Sequence, residues 1–491
     1  MNLENYIERN KERWLTEEYL PFLRMDCTSA NEGEKLTQKV EAAAFLEQLL
    51  LQKGFSPCVF IGKDTPSKEL LRHPIETGLP TIRPIVYMEI MSDPSLPWLL
   101  WDSHYDRRPI NDNPNDPWLT HPFDPVRKKV VEEWNNGKIQ DERIYARGAV
   151  DSVGHVMGII WALEAYQNVH GKLPVNVKVM FEGAEEIGSP GMDAFVEKYQ
   201  EQLRADLVVI DDNWTNRPGI PIITERLRGS LSGEISVQTA SKEGHSGSGS
   251  YLPNALGLLA GIMNRLADPI TKKVALSSYM DSIRQPSQQE IEYVNKLHPS
   301  ETEEEQKKHY GAKALVGDSA YSPAVRTILL PSWDWEKLPE RGEVHEGVIV
   351  SQAGISFKTR LVPGQDPQII FSELEQWLQQ QPEAKYATIS SKIGGNYPAF
   401  SANLNSRYTP LMIKALQQTF QTNEVEIDWN GAGEPIASYF QSRLKVPVYL
   451  VGWGGPYCNA HATNENMLVN HGLLLGVRGN CQIMEEIAGG T

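Results

Sequence analysis

A chain of 491 residues has room for more than one hydrophobic core, since single cores stop growing near ~250–300 residues, so two domains are expected. Its 47 basic and 63 acidic residues leave a net charge of −16, a field that repels nucleic acid and anionic lipid and excludes both as partners. The opening MNLENYIERNKERW is polar and carries alternating charges, so neither a secretory leader nor a membrane anchor is expected and the chain reads as cytoplasmic. Cys27, Cys58, Cys458 and Cys481 show no paired spacing and read as reduced structural thiols.

In chain order, residues 33–53 have helical periodicity, and 84–90 and 96–103 read as strands. A helix is predicted over about 152–168, a strand over 175–181, a helix near 191–204 and a strand over 206–211. After Thr224 the texture changes. GSLSGEISVQTA is followed by a helix over about 254–267, a polar charged tract around 283–312, the strands GVIVSQ and ISFKTRLVP, a helix over 367–380 and the strand YATISSKI. From about 405 the first pattern resumes, with a helix over 409–420, a buried strand over 446–454 and a C-terminal helix. The expected fold is α/β: a mostly parallel sheet covered by helices over 1–223 and 404–491, with an inserted α+β domain, ferredoxin-like, over 224–403.

Ligands of open α/β sheets gather beyond the carboxyl ends of the strands, and here acids and histidines collect there repeatedly. The strand LLWDS runs into His104-Tyr105-Asp106, where the H-x-D spacing in extended chain puts both side chains on one face. YARGAVDSVGH sets Asp151 in a glycine-flanked turn before a helix, where a cap role is the plain alternative. VNVKVMF leads to Glu182-Gly183-Ala184-Glu185-Glu186, DLVVID ends in Asp211-Asp212-Asn213, and VPVYLVGWG is followed by Asn459-Ala460-His461. Adjacent acids at a buried strand end repel and call for a cation. Imidazole and carboxylate without thiolate suit zinc first, then manganese or cobalt. Carboxylates at Asp151, Glu186 and Asp212 together with one hydroxide balance two divalent ions, and two ions roughly 3.5–4 Å apart can activate one water. Glu185, beside Glu186, is placed to act as the general base.

These residues resemble the dinuclear-zinc metallopeptidases that include carnosinase-like dipeptidases, aminoacylases, carboxypeptidase G and succinyl-diaminopimelate desuccinylase. The resemblance spans nearly the whole chain: H-x-D at 104–106, R-G-A-x-D at 147–151, E-G-x-E-E-x-G-S at 182–189, D-N at 212–213, H-S-G at 245–247, R-L-V-P at 360–363 and H-x-x-N-E at 461–465. It implies that Asp151 bridges two metals, with His104 and Asp212 on one and Glu186 and His461 on the other, and that Asp106 orients His104. It further implies that the inserted domain serves as lid and dimer interface of a homodimer, that His245 reaches a neighbouring subunit's site to stabilise an oxyanion, and that Arg360 grips a substrate carboxylate. The activity implied is cleavage of a peptide or amide bond in a small substrate, first a dipeptide, with an N-acyl amino acid deacylase next and a catalytically silent binding protein as the alternative from another class. The SGSGS run at 246–250 lacks the spacing and strand-to-helix setting of a nucleophile elbow.

The chain also departs from the family's pattern. Ser152-Val153-Gly154-His155 follows Asp151 where an acidic, Asn or Met residue and then lysine are usual, Arg107-Arg108-Pro109 follows Asp106, and Gly433 stands where carnosinase-like members offer a serine.

Overall fold

The computed structural model describes residues 1–29, 35–110, 117–336 and 347–490; positions 33 and 34 of the predicted first helix lie outside them. The chain forms two compact units, one comprising Met1–Glu225, Ala402–Asp428 and Tyr439–Thr491, the other Arg226–Ser401 and Trp429–Ser438.

In the first unit the strand order runs Ile222–Leu227, Val448–Val451, Leu207–Asp211, Trp98–His104, Asn176–Glu182, Ile85–Ile90, Cys58–Ile61 and Pro74–Glu76. The middle four strands, from Val448–Val451 to Asn176–Glu182, are mutually parallel. Each is an apolar run because helices cover both faces of a parallel core. All seven residues of Asn176–Glu182 are buried, Lys178 included, whose ammonium escapes the core by donating to the carbonyls of Gln202 (2.5 Å) and Arg204 (2.7 Å). Ile85–Ile90 runs antiparallel to Asn176–Glu182, since the connection 91–97 is too short for the crossover that a parallel strand requires.

Among the helices, His155–His170 is buried through its first three turns and packs with Leu474–Gly489. The predicted helix near 191–204 is broken into Met192–Lys198 and Gln200–Leu203, because Tyr199 (φ −105°, ψ 21°) leaves the helical basin. Two features went unread in the sequence. The amino-terminal helices Leu3–Arg13 and Leu20–Leu23 flank a π turn, Trp14–Tyr19, and a hairpin joins Val126–Trp134 to Gly137–Tyr145 through Asn135-Asn136. The hairpin takes Asn466–Leu468 as a third strand, with Asn466 opposite Tyr145.

The amino-terminal segment is held by a buried ionic cluster. Glu164 accepts from Arg13 (2.5 Å), Trp14 Nε1 (3.0 Å) and Lys53, while Glu18 accepts from Arg13 (2.6 Å), Lys53 (2.9 Å) and Trp161 Nε1 (2.6 Å). The Trp14 and Trp161 rings stack above it at 5.0 Å. Removing one partner of such a cluster strands buried charge at a cost of about 3–5 kcal/mol. Glu164→Ala is therefore expected to lower stability by that amount in urea denaturation, and a loss below about 1 kcal/mol would show that the cluster contributes little.

The second unit is a four-stranded antiparallel sheet ordered Ser332–Trp335, Gln352–Leu361, Gly229–Gln238, Thr388–Tyr397. With Ala255–Leu266 and Pro367–Gln379 packed on it, the order along the chain is strand, helix, two strands, helix, strand, the ferredoxin-like arrangement. Leu231, Ile235, Leu259, Ile262, Phe357, Ile370 and Leu374 form its core. The predicted GVIVSQ strand is divided: Val348–Ile349 pairs with Gly244–His245, and Gln352 opens the strand Gln352–Leu361. The polar tract near 283–312 folds into Gln288–Leu297 and Glu303–Tyr310, each opened by a capping box, Ser287 with Glu290 and Thr302 with Glu305. Elsewhere, burial opposes ionisation of Glu373, but hydrogen bonds from the N–H and hydroxyl groups of Ser277 and Ser278 prevail and pull its pKa from 4.5 down to about 2. A depressed folded-state pKa contributes stability above the unfolded value that disappears as pH falls through the folded one. Replacing Glu373 by Gln is thus expected to flatten the loss of stability between about pH 4.5 and 2 in acid titrations, and an unaltered slope would refute that contribution.

Candidate metal centre

The carboxyl ends of the parallel strands bring five of the predicted residues together. His104, Asp151 and Asp212 offer three donor atoms within 4.8 Å of one another, and Asp151, Glu186 and His461 offer another three. Asp151 belongs to both groups. Its Oδ1 lies 2.9 Å from His104 Nε2 and its Oδ2 lies 2.7 Å from His461 Nε2. Asp212 Oδ2 stands 3.4 Å from the same His104 nitrogen, and Glu186 Oε2 stands 3.5 Å from His461 Nε2.

Each donor owes its position to local chain geometry. His104 closes the strand Trp98–His104 and is buried, and its Nδ1 is 3.3 Å from Asp106 Oδ1. Asp106 also accepts the backbone N–H of Glu185 (3.0 Å) and of Glu186 (3.2 Å) and the hydroxyl of Ser29, so one carboxylate orients the histidine and pins the Glu185–Ile187 turn. Asp151 makes no cap hydrogen bond to the helix that follows. Its loop is held by Glu465, whose carboxylate accepts the N–H groups of Gly148 (3.0 Å), Val150 (3.0 Å) and Asp151 (3.1 Å) and pairs with Arg147 at 2.8 Å. The hairpin makes this possible, because pairing Asn466 with Tyr145 sets Glu465 beside the turn after Tyr145. At Asp212 the chain passes so close to the neighbouring strand that a Cβ on Gly452 would lie 1.8 Å from the Asn213 carbonyl oxygen, and only glycine fits.

The groups of the cluster shift one another's protonation strongly. Burial works against the Asp151 carboxylate, but hydrogen bonds from His104 and His461 hold its pKa far below the usual range. Burial works against the charged imidazole of His104 too, yet Asp212, Asp106 and Asp151 raise its pKa well above the ordinary value. Glu186 is pushed well up by burial and by Asp151 and Glu185, and its Oε1 is buried without a hydrogen-bond partner. A buried carboxylate oxygen with no hydrogen-bond partner, set among imidazole nitrogens and further carboxylates, is suited to a cation. The imidazole and carboxylate donors fit a divalent cation.

The structure gives the sequence departures separate tasks. Ser152 Oγ is 3.1 Å from His155 Nδ1 and 3.1 Å from Ser103 Oγ, and the N–H of Trp453 donates to His155 Nε2 at 3.2 Å. That last bond leaves the His155 proton on Nδ1, and burial keeps the ring's pKa low. Asp211 accepts from Trp453 Nε1 (2.9 Å) and Asn480 (2.8 Å) behind Asp212, and burial lifts its pKa to about 7. Arg107 is buried and donates to the carbonyls of Phe22 (2.6 Å), Leu23 (2.9 Å) and Met25, closing the end of an amino-terminal helix, whereas Arg108 reaches Glu186 Oε2 at 3.3 Å. Glu465, Ser29, His155 and Asp211 were not singled out from sequence as supports, although Glu465 ends a quoted motif. Burial lifts the Cys458 thiol to about 12, which keeps it neutral.

His245 and Arg360 belong to the second unit. His245 is exposed, and its Nδ1 accepts the N–H of Gly247 at 3.1 Å. Arg360, on Gln352–Leu361, donates to Tyr397 Oη at 3.4 Å. A Cβ on Gly433 would lie 2.5 Å from that hydroxyl and 3.0 Å from Arg360 Nη1, so the space a serine would take is filled by the guanidinium and its tyrosine.

A profile of the peptidase family M20/M25/M40 matches residues 100–485. The chain belongs to this family. It is 26% identical over 401 residues to the Beta-Ala-His dipeptidase of Homo sapiens, covering 79% of this chain and 74% of that one. It is 27% identical over 462 residues to the Cys-Gly metallodipeptidase DUG1 of Candida albicans, covering 90% and 89%. Among solved structures, the M20 family metallo-carboxypeptidase Sso-CP2 from Sulfolobus solfataricus superposes with a TM-score of 0.75 at 25% identity, covering 96% of this chain and 98% of that one. Human carnosine dipeptidase 1 superposes with 0.72 at 21% identity, covering 99% and 98%. The protein is a metal-dependent peptidase.

Glu465→Gln keeps the shape but turns one acceptor oxygen into a donor facing N–H groups and Arg147. Losses of support of this kind typically cost about 10–100-fold in metal affinity. Calorimetric titration with Zn2+ is expected to show a drop of that size, and an unchanged affinity would mean that Glu465 does not position Asp151.

Proposed function

We propose that this metallopeptidase hydrolyses the peptide bond of dipeptides at a centre of two divalent cations. The observation that carries the proposal is the place of Asp151 in both donor groups, one oxygen turned to His104 and the other to His461. In this reading His104 and Asp212 would hold one cation and Glu186 and His461 the other, with Asp151 contributing to both. The donor chemistry supports zinc, with manganese or cobalt next. Bound there, the pair supplies Lewis acidity and lowers the pKa of a water toward ~7. Glu185, its backbone fixed by Asp106, would act as the base that takes a proton from the attacking water and delivers it to the leaving amine. Asp106 keeps His104 in one tautomer and orientation.

The second unit is assigned the role of lid and dimer interface in a homodimer. Arg360 grips the substrate carboxylate through its planar guanidinium, and His245 stabilises the oxyanion in the partner's site. A dipeptide substrate is supported by the relatives named for Beta-Ala-His and Cys-Gly cleavage. The four free cysteines support a cytoplasmic setting. Among the described residues no helix is long and apolar enough to cross a membrane.

The test is a panel of β-Ala-His, Cys-Gly, neutral dipeptides and N-acetyl amino acids with Zn2+- and Mn2+-loaded protein, alongside Glu185→Gln and a chelated sample. Dipeptide turnover is expected, abolished by chelation and lowered about 10²–10⁴-fold in Glu185→Gln. Turnover confined to N-acetyl amino acids would replace the dipeptidase assignment with a deacylase, and activity surviving in Glu185→Gln would remove the base.

A further inference from the structure

The second unit contains a cavity of about 230 Å³ that no step of the peptidase reaction uses. Its lining includes three arginines, Arg226, Arg228 and Arg284, a single carboxylate residue, Glu290, and the apolar residues Ile328, Leu329 and Val362. Three positive charges against one is an unusual balance for a chain of net charge −16.

The one carboxylate is already saturated. Glu290 Oε1 accepts from Arg226 Nη1 (2.9 Å) and Arg284 Nη2 (2.5 Å), and Oε2 accepts the N–H (2.9 Å) and hydroxyl (2.8 Å) of Ser287 in the capping box of Gln288–Leu297. Arg226 is further held in place by stacking on Trp429 at 3.8 Å. Arg228 has no carboxylate partner among these bonds. It is 4% exposed, its Nη2 donates to the Arg360 carbonyl at 3.0 Å and its Nη1 to that of Thr327, and its Nε is buried with no partner. Neutral carbonyls do not compensate a buried charge, and burial accordingly pulls the pKa of Arg228 down to about 10. The lining therefore combines a buried guanidinium with no carboxylate partner, two further arginines that share Glu290, and apolar side chains.

We propose that this cavity binds a small oxyanion, specifically a carboxylate carried on a short aliphatic body such as a dicarboxylate. A carboxylate presents two coplanar oxygens that match the guanidinium fork, and the aliphatic body meets the apolar lining residues. The volume is below the roughly 300–1,000 Å³ of drug-sized sites, which restricts the ligand to a few non-hydrogen atoms beyond the anionic group. Inorganic phosphate shares the oxyanion chemistry but has no aliphatic part. The proposal does not rest on the peptidase reading.

The experiment is calorimetric titration of the metal-loaded full-length protein with succinate, inorganic phosphate and neutral glycerol, repeated on Arg284→Gln and Glu290→Gln. The Arg284 side chain is 64% exposed, so its removal leaves the fold intact, and Gln serves in a capping box as Glu does. Succinate is expected to bind saturably and more tightly than phosphate, with glycerol silent. Arg284→Gln is expected to weaken succinate binding about tenfold, the usual scale of a lost charge-assisted hydrogen bond, and Glu290→Gln to tighten it several-fold by removing the competing negative charge. Absence of saturable succinate binding would overturn the proposal. So would binding that both variants leave unchanged, since that anion would reside at the metal centre. Phosphate binding more tightly than succinate with the same response to the variants would overturn the carboxylate assignment.

Discussion

Asp102, Asp151, Glu182, Glu186 and Asp212 are crowded beneath the ends of the parallel strands, and their mutual repulsion in a buried setting is what the first unit is built to contain. The strain is visible in the protonation equilibria. Burial and the neighbouring Glu182 push Asp102 well above the ordinary carboxylate range, and burial with Asp106 lifts Glu182 to about 8. Within this set only the carboxylates that face His104 and His461 have positive partners at short range. A polar cluster of this kind is tolerated where a cation compensates it, and the family to which the chain belongs supplies that context.

Holding like charges at fixed positions needs rigid supports, and the supports come from distant parts of the chain. Ser29 and Asp106 serve the Glu185–Glu186 turn, Glu465 serves the Asp151 loop, and Trp453 with Asn480 serves Asp211. Where the family pattern has a lysine after the bridging aspartate, this chain carries a neutral network through Ser152 and His155. A neutral network adds no cation to compete for the carboxylates. The positive charge nearest Glu186 is instead that of Arg108, half exposed on the side of the site open to solvent.

The second unit has the opposite electrostatic character in its cavity. There the helix Gln288–Leu297, opened by its capping box, places the one carboxylate of the lining, Glu290, against Arg226 and Arg284. Gly433 is a related adjustment. The missing side chain leaves room for Arg360 and Tyr397.

The order of helices and strands and the parallel core were legible in the amino-acid string, as was the gathering of acids and histidines at the strand ends, because hydrophobic periodicity is local and a strand end followed by acids or histidine is a short-range pattern. The breaks were not. Tyr199 interrupts a helix that periodicity carries through it, and the hairpin 126–145 is too polar to alternate clearly, though its Asn-Asn-Gly turn was a readable signal. The paired Ser287/Glu290 and Thr302/Glu305 boxes were equally readable within the polar charged tract around 283–312. What sequence could not supply was the partnership of residues far apart. Glu465 lies 314 positions from Asp151, and only the pairing of Asn466 with Tyr145 puts its carboxylate on that loop. Residue type and spacing determine which groups can bind a cation; the long-range register of strands determines which oxygen faces which nitrogen, because that depends on packing summed over the whole unit.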